Sequence, residues 1–131
     1  MFRKIIAVAI LSLGFISAAW ADGMAAQKEA STAAMHAGFS SKSKDVAGVR
    51  LHLHHVINCL VGEKGDGFDP KAGDPCQGMG NGAINDASGS FKAELEKALA
   101  EAKAGLSTDE LAEGQADAGK VEQILNGALG K

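Results

Sequence analysis

The segment LHLHHVINC, residues 51–59, holds most of the side chains in this chain that could do chemistry. It carries three of the four histidines, His52, His54 and His55, and one of the two cysteines, Cys59. Imidazole nitrogens are the commonest metal ligands in proteins, and they also hold haem iron. The composition of this segment therefore predicts a metal or haem site.

Helical geometry divides these side chains into two sets. Each residue of an α-helix advances by roughly 100°, so positions three or four apart lie on one face. On this construction His52, His55 and Cys59 share a stripe beside the apolar positions of the helix, whereas His54 points away. We therefore predict that His52 and His55 address a common point and that His54 does not.

Two further side chains are candidates to complete the site. His36, on the preceding helix, reaches the pair if that helix is turned toward it. Met79 follows the second cysteine in a glycine-rich turn, GMGNG, which a disulfide would bring over the same stripe. Imidazole and thioether ligands together suit copper, and the thioether favours its cuprous state, whereas zinc and nickel gain less from methionine. The predicted set is therefore His52, His55, His36 and Met79 around a transition-metal ion, with copper ranked first.

Three other interpretations of the histidines compete with a metal ion. The rings could simply flank the core and donate to backbone carbonyls. A b-type haem could be clamped between His36 and either His52 or His55, although the chain has no CxxCH motif for covalent attachment. Catalysis is less favoured, because serine-nucleophile, P-loop and dinucleotide motifs are absent from the sequence and a Cys/His pair would need a reduced cysteine.

The start of the chain has the layout of a cleaved secretory signal. Arg3 and Lys4 precede an apolar run, and small residues follow it up to Ala21. The run is shorter than the roughly 20 apolar residues of a membrane span, so we expect a protein that does not span the membrane after cleavage. These features predict a signal peptide over residues 1–21, a single domain over residues 22–131, and a periplasmic or secreted location.

The charge of the chain argues against one class of partner. Arg3 and Lys4 are the only charged residues of the predicted signal peptide, so its removal takes the formal net charge from −3 to −5. No cluster of basic residues remains that could neutralise a phosphate backbone. We therefore expect no nucleic-acid partner.

Export would place the two cysteines, Cys59 and Cys76, in an oxidising compartment, where we expect them to form a disulfide. In the chain-entropy model such a bridge stabilises the fold by about 3 kcal/mol. It would tie down a long loop, residues 62–87, that is rich in glycine, aspartate, asparagine and proline. The aspartates of this loop lack the spacing of an EF-hand, so they do not favour calcium.

The rest of the sequence predicts helices with apolar faces and almost no strand. An alanine-rich helix covers residues 22–39, and a second helix, capped by Asp45 and stopped by Gly62, carries the histidines. Two more helices occupy the last third of the chain, and a capping box of Ser107 and Glu110 is expected to begin the final one. We predict an all-α fold: a small antiparallel four-helix bundle with the long disulfide-tied loop between helices 2 and 3.

Together these features predict a small exported metal-binding protein that stores, delivers or senses a transition metal. The first alternative is a structural or interaction module that presents loop 62–87 to a periplasmic protein partner. The second alternative is a b-type haem-binding helical bundle.

Overall fold

The computed structural model describes the backbone from Ile16 to Lys131 and the side chains from Asp22 onward. Over these residues the chain is all-helical and contains no strand, which confirms the predicted fold class. Five helices follow one another: α1 (Ile16–Ser41), α2 (Val46–Val61), α3 (Ala83–Asp86), α4 (Gly89–Leu106) and α5 (Leu111–Ala128). None of them is long and apolar enough to cross a membrane.

The first helix, α1, begins before the predicted cleavage site. Residues 1–15 of the predicted signal peptide lie outside the described part of the chain, and residues 16–21 form the start of α1. The signal peptide therefore stays a prediction. Beyond it, α1 buries a row of alanines spaced three or four residues apart: Ala26, Ala30, Ala33 and Ala37. Such small side chains let the backbone of α1 lie close to its neighbours, α2 and α5.

The second helix, α2, has the ends that the sequence predicts. The Asp45 carboxylate caps it by accepting a hydrogen bond from the Gly48 amide at 2.7 Å. Gly62 ends it with φ of +74°, a conformation that side chains other than glycine rarely adopt. A Cβ at Gly62 would also collide with the backbone of Asn81 from the loop, so both conformation and space require glycine there.

The four long helices form a helical bundle in which α1 contacts α2 and α5, and α4 contacts α5 and α2. Ser40 donates to the Val49 carbonyl at 2.9 Å near the α1–α2 connection, and His36 meets His55 farther from it. These two contacts show that α1 and α2 run antiparallel. The largest aliphatic side chains in the core come from three helices: Leu53, Ile57, Leu60, Leu95 and Leu125. The full antiparallel four-helix order remains a prediction.

The predicted capping box at the start of the last helix is wrong. Ser107 instead ends α4, where its hydroxyl donates to the Lys103 carbonyl at 3.1 Å. Thr108 stabilises the connection between α4 and α5. Its hydroxyl accepts from the Glu110 amide at 3.1 Å and donates to the Glu113 carboxylate at 2.7 Å. The last helix therefore begins at Leu111, with Glu110 at its N-cap position.

The loop between α2 and α4 is fastened by one covalent and several polar contacts. The predicted disulfide between Cys59 and Cys76 is confirmed. Asn58, which is fully buried, donates to the carbonyls of Asp69 and Gly73 at 2.8 Å each and accepts from the Asp69 amide at 2.8 Å. The loop also contains the short helix α3, which the sequence did not predict. These contacts hold the loop against α2 beside the histidines.

Candidate metal centre

Three of the histidines converge between α1 and α2. The Nδ1 atom of His36 lies 3.2 Å from Nδ1 of His52 and 3.2 Å from Nδ1 of His55. One nitrogen from each ring lies within 4.8 Å of the other two, so these rings could hold a metal ion. The structure thus brings His36 to the pair that helical spacing predicted.

The nitrogen separations match those of a small metal site. A metal–nitrogen distance of 2.0–2.1 Å in tetrahedral geometry requires nitrogens about 3.3 Å apart. The two separations of 3.2 Å that His36 makes are close to this value. A single ion between the rings could therefore bind His36 together with His52 and His55, whose ligand atoms lie within 4.8 Å of each other.

The orientation of His55 is set by the disulfide-tied loop. Its Nε2 lies 2.7 Å from the Ala72 carbonyl oxygen, which can only accept, so Nε2 carries the proton in this contact. In the neutral ring this leaves the Nδ1 lone pair free to face His36. A backbone or carboxylate acceptor behind the ring is the usual arrangement of a metal-binding histidine.

Aromatic contacts hold the other two rings. The centroid of Phe39, one turn beyond His36 on α1, lies 5.5 Å from both His36 and His52. The three imidazoles are partly exposed, and the Phe39 side chain is itself 47% exposed. The cluster therefore lies near the surface, with one ring edge of Phe39 beside it.

The surroundings of His36 and His52 disfavour the protonated form of both rings. Burial, followed by repulsion from protonated His55 and His52, lowers the pKa of His36 to about 4. Burial and then His55 also lower the pKa of His52. At neutral pH both rings are uncharged, and uncharged imidazole is the form that binds metals.

The fourth histidine, His54, lies outside the cluster, as the helical spacing predicts. Its Nδ1 is 3.7 Å from a carboxylate oxygen of Asp69 in the loop. This separation is too long for a hydrogen bond, so the contact is at most a weak ion pair. His54 therefore offers a control position on the same helix as two cluster residues.

Met79, the fourth predicted ligand, lies in the loop and contacts α1. Its sulfur accepts a weak hydrogen bond from Thr32 at 3.8 Å, one helical turn before His36. The glycine turn that carries it packs against α1 near Ala25 and Glu29, whereas Ala72 is the loop residue that reaches His55. The loop therefore contacts His55 directly through Ala72, and the role of Met79 as a ligand stays a prediction.

The contacts that Phe39 and Ala72 make with the histidines differ in how far the sequence could predict them. Phe39 is three residues after His36, which is the spacing of a helical neighbour, so its contact could have been inferred. The Ala72 contact could not, because it uses a backbone carbonyl, which every residue type supplies. Asn58 gave a partial signal as a polar residue on a helix that is otherwise apolar beyond His55.

Comparisons with protein-family models, curated proteins and solved structures find no match to this chain, so its function has to be argued from the histidine cluster and its surroundings.

Proposed function

We propose that this protein binds one transition-metal ion through the Nδ1 atoms of His36, His52 and His55. The observation that carries the proposal is the pair of 3.2 Å nitrogen separations centred on His36. A neutral ring supplies a single proton to share with its neighbours, whereas one metal ion accepts a lone pair from all three Nδ1 atoms. The low pKa of His36 keeps its ring uncharged at neutral pH, which is the form that binds a metal ion.

Copper is the proposed metal, on a different ground from the sequence argument. The Met79 sulfur contacts Thr32, one helical turn before His36, and the three imidazoles by themselves also favour copper. Three imidazoles accept copper, zinc and nickel alike, and divalent copper binds such ligands most tightly of the three. We therefore expect affinity to follow the order copper, then nickel or zinc.

A single ion fits this cluster better than a haem. Axial histidines of a haem lie on opposite faces of the porphyrin, with the iron and the macrocycle between them. Here the Nδ1 atoms of His36 and His55 are in direct contact at 3.2 Å, and their rings are nearly perpendicular, at 81°. Haem binding would require α1 and α2 to move apart. The hydrogen bond between Ser40 and Val49 joins the two helices near the cluster and opposes this movement.

The role we propose is storage, delivery or sensing of the metal outside the cytoplasm, on an antiparallel four-helix scaffold. Three protein ligands leave a fourth tetrahedral position free, and the partial exposure of the rings gives that position access to solvent or to a partner. An accessible ion suits transfer better than permanent structural use. Export and periplasmic location rest on the predicted signal peptide.

The test is a metal titration of the oxidised protein. We expect one equivalent of Cu²⁺ to bind with a Kd below about 1 μM. Alanine variants of His36, His52 or His55 should each lose at least about 100-fold in affinity, more than the loss of an outer hydrogen-bond partner. His54→Ala is the matched control and should bind as the wild type does.

Two results would count against this proposal. Failure to bind Cu²⁺, Zn²⁺ or Ni²⁺ at micromolar concentration would remove it and leave loop 62–87 as a recognition surface. An equal loss of affinity in His54→Ala would show that the metal binds elsewhere on α2.

A further inference from the structure

A second group of polar and acidic side chains lies beside the Cys59–Cys76 disulfide and includes none of the histidines. Glu29, on α1, is 1% exposed, the most deeply buried charged side chain among the described residues. One carboxylate oxygen accepts from the Gly82 amide at 3.0 Å. The other oxygen, Oε2, is inaccessible to solvent and has no hydrogen-bond donor. A buried carboxylate oxygen without a donor is costly and calls for a ligand.

A second carboxylate, that of Asp86, lies close to Glu29. Asp86, at the end of α3, accepts from the Asn81 amide at 2.8 Å and from its side-chain nitrogen at 3.1 Å. Both acids meet over Gly80: a Cβ there would lie 3.0 Å from Glu29 Oε1 and would collide with Asp86 Oδ2. Two carboxylates held this close repel each other unless a proton or a cation joins them.

The space beside Glu29 has room for a hydrated cation. A cavity of about 200 Å³ lies between α1 and the loop, next to the disulfide. Its charged lining residues are three acids, Glu29, Glu63 and Asp74, and one base, Lys64. The balance of charge in the cavity is therefore negative even before Asp86 is counted.

We infer that Glu29 and Asp86 bind a hard divalent cation of the calcium class, with water completing its oxygen shell. Calcium takes six to eight oxygen ligands in flexible geometry, which two carboxylates and the waters of a cavity can supply. The site uses none of the three histidines, and imidazole is a poor ligand for this class of ion. It also differs from the EF-hand arrangement that the loop aspartates fail to match.

The test is a titration of the full chain, freed of metal with EDTA and dialysed, with CaCl₂, followed by the backbone amide signals of Gly82 and Asn81 in NMR spectra. We expect saturable shifts at these two amides with a Kd of about 10⁻⁴–10⁻³ M, the range of weak extracellular calcium sites. The amides of His52 and His55 should not move. Absence of saturable shifts up to about 10 mM CaCl₂ would overturn the inference and leave a proton as the link between the two acids.

Variants separate this site from general effects of calcium. Glu29→Gln and Asp86→Asn keep the size of each side chain and an oxygen acceptor, and each should weaken Ca²⁺ binding by at least tenfold. Glu96→Gln, on the exposed face of α4, is the matched control and should bind as the wild type does. Wild-type affinity in both Glu29→Gln and Asp86→Asn would contradict the assignment. Because the Cu²⁺ titration uses other residues, either site can fail while the other stands.

Discussion

The Nε2 atom of His55 donates to the Ala72 carbonyl at 2.7 Å, and this contact joins the histidine cluster to the disulfide-tied loop. The contacts of Asn58 with Asp69 and Gly73 hold the loop on both sides of Ala72, and the Cys59–Cys76 bridge holds it a few residues farther along the chain. The orientation of one proposed ligand thus depends on the anchoring of a segment that is distant in sequence.

Removing the disulfide should weaken metal binding. In a Cys59→Ser, Cys76→Ser double variant the loop is less constrained, so His55 loses its acceptor for part of the time, and we expect Cu²⁺ affinity to fall by roughly 10- to 100-fold. Stability should fall by about 3 kcal/mol as well. Calorimetric titration measures the first effect and urea denaturation the second. Unchanged affinity in a folded double variant would show that the loop does not support the site.

Asn58→Ala tests the polar anchor of the same loop. The substitution removes three hydrogen bonds of 2.8 Å and leaves their backbone partners without a side chain to bond, which should cost about 3 kcal/mol of stability. Urea denaturation measures the loss. Gln123→Ala, at an exposed position of α5, is the control and should change stability by less than about 0.5 kcal/mol. Similar stabilities of the two variants would argue against a clamping role of Asn58.

Two glycine substitutions should act in opposite directions. Gly62→Ala forces a side chain into φ of +74° and into the backbone of Asn81, so we expect a loss of more than about 1 kcal/mol. Gly119→Ala, inside α5, meets no atom within 4 Å and should gain about 1 kcal/mol from helix propensity. Thermal melts of both variants measure the difference. A stabilised Gly62→Ala would mean that α2 does not end as described.

The stability of the metal-free protein should fall as pH rises through neutrality. Burial, only partly opposed by the Gly82 amide, and then the negative charges of Asp86 and Asp74 raise the pKa of Glu29 from 4.5 to about 7. The folded protein therefore holds the Glu29 proton more tightly than the unfolded chain. Its contribution to stability is complete below pH 4.5 and is lost as pH rises through about 7.

Thermal melts in EDTA between pH 5 and 8 measure this dependence on Glu29. Glu63 and Lys64 also line the cavity, so the comparison with Glu29→Gln isolates the contribution of one carboxyl. The variant should show a flatter profile than the wild type, whereas Glu96→Gln should keep the wild-type slope. Identical slopes in the wild type and Glu29→Gln would mean that the Glu29 carboxyl keeps an ordinary pKa in the folded protein.

Much of α2 could be predicted because its signals are local. Asp45 and Gly62 lie at its ends, and the spacing of His52, His55 and Cys59 depends only on helical geometry. The rotation of α1, which decides whether His36 reaches the pair, depends on how a row of alanines packs against α2 and α5. Alanines leave several rotations almost equally favourable, so this contact required the structure.

The capping box is an error of prediction with a local cause. It was assigned to Ser107 when Thr108, the next residue, also offered a hydroxyl. Both residues satisfy the local rules, and tertiary contacts choose between them. The role of Met79 as a ligand stays a prediction.

The central claim is that His36, His52 and His55 bind one metal ion together, and X-ray absorption spectroscopy of the copper-loaded protein tests it most directly. We predict three imidazole nitrogens at about 2.0 Å from the metal in the wild type, and a loss of one of them in His36→Ala but not in His54→Ala. A spectrum with fewer than three imidazoles, or one that His36→Ala leaves unchanged, would contradict the claim.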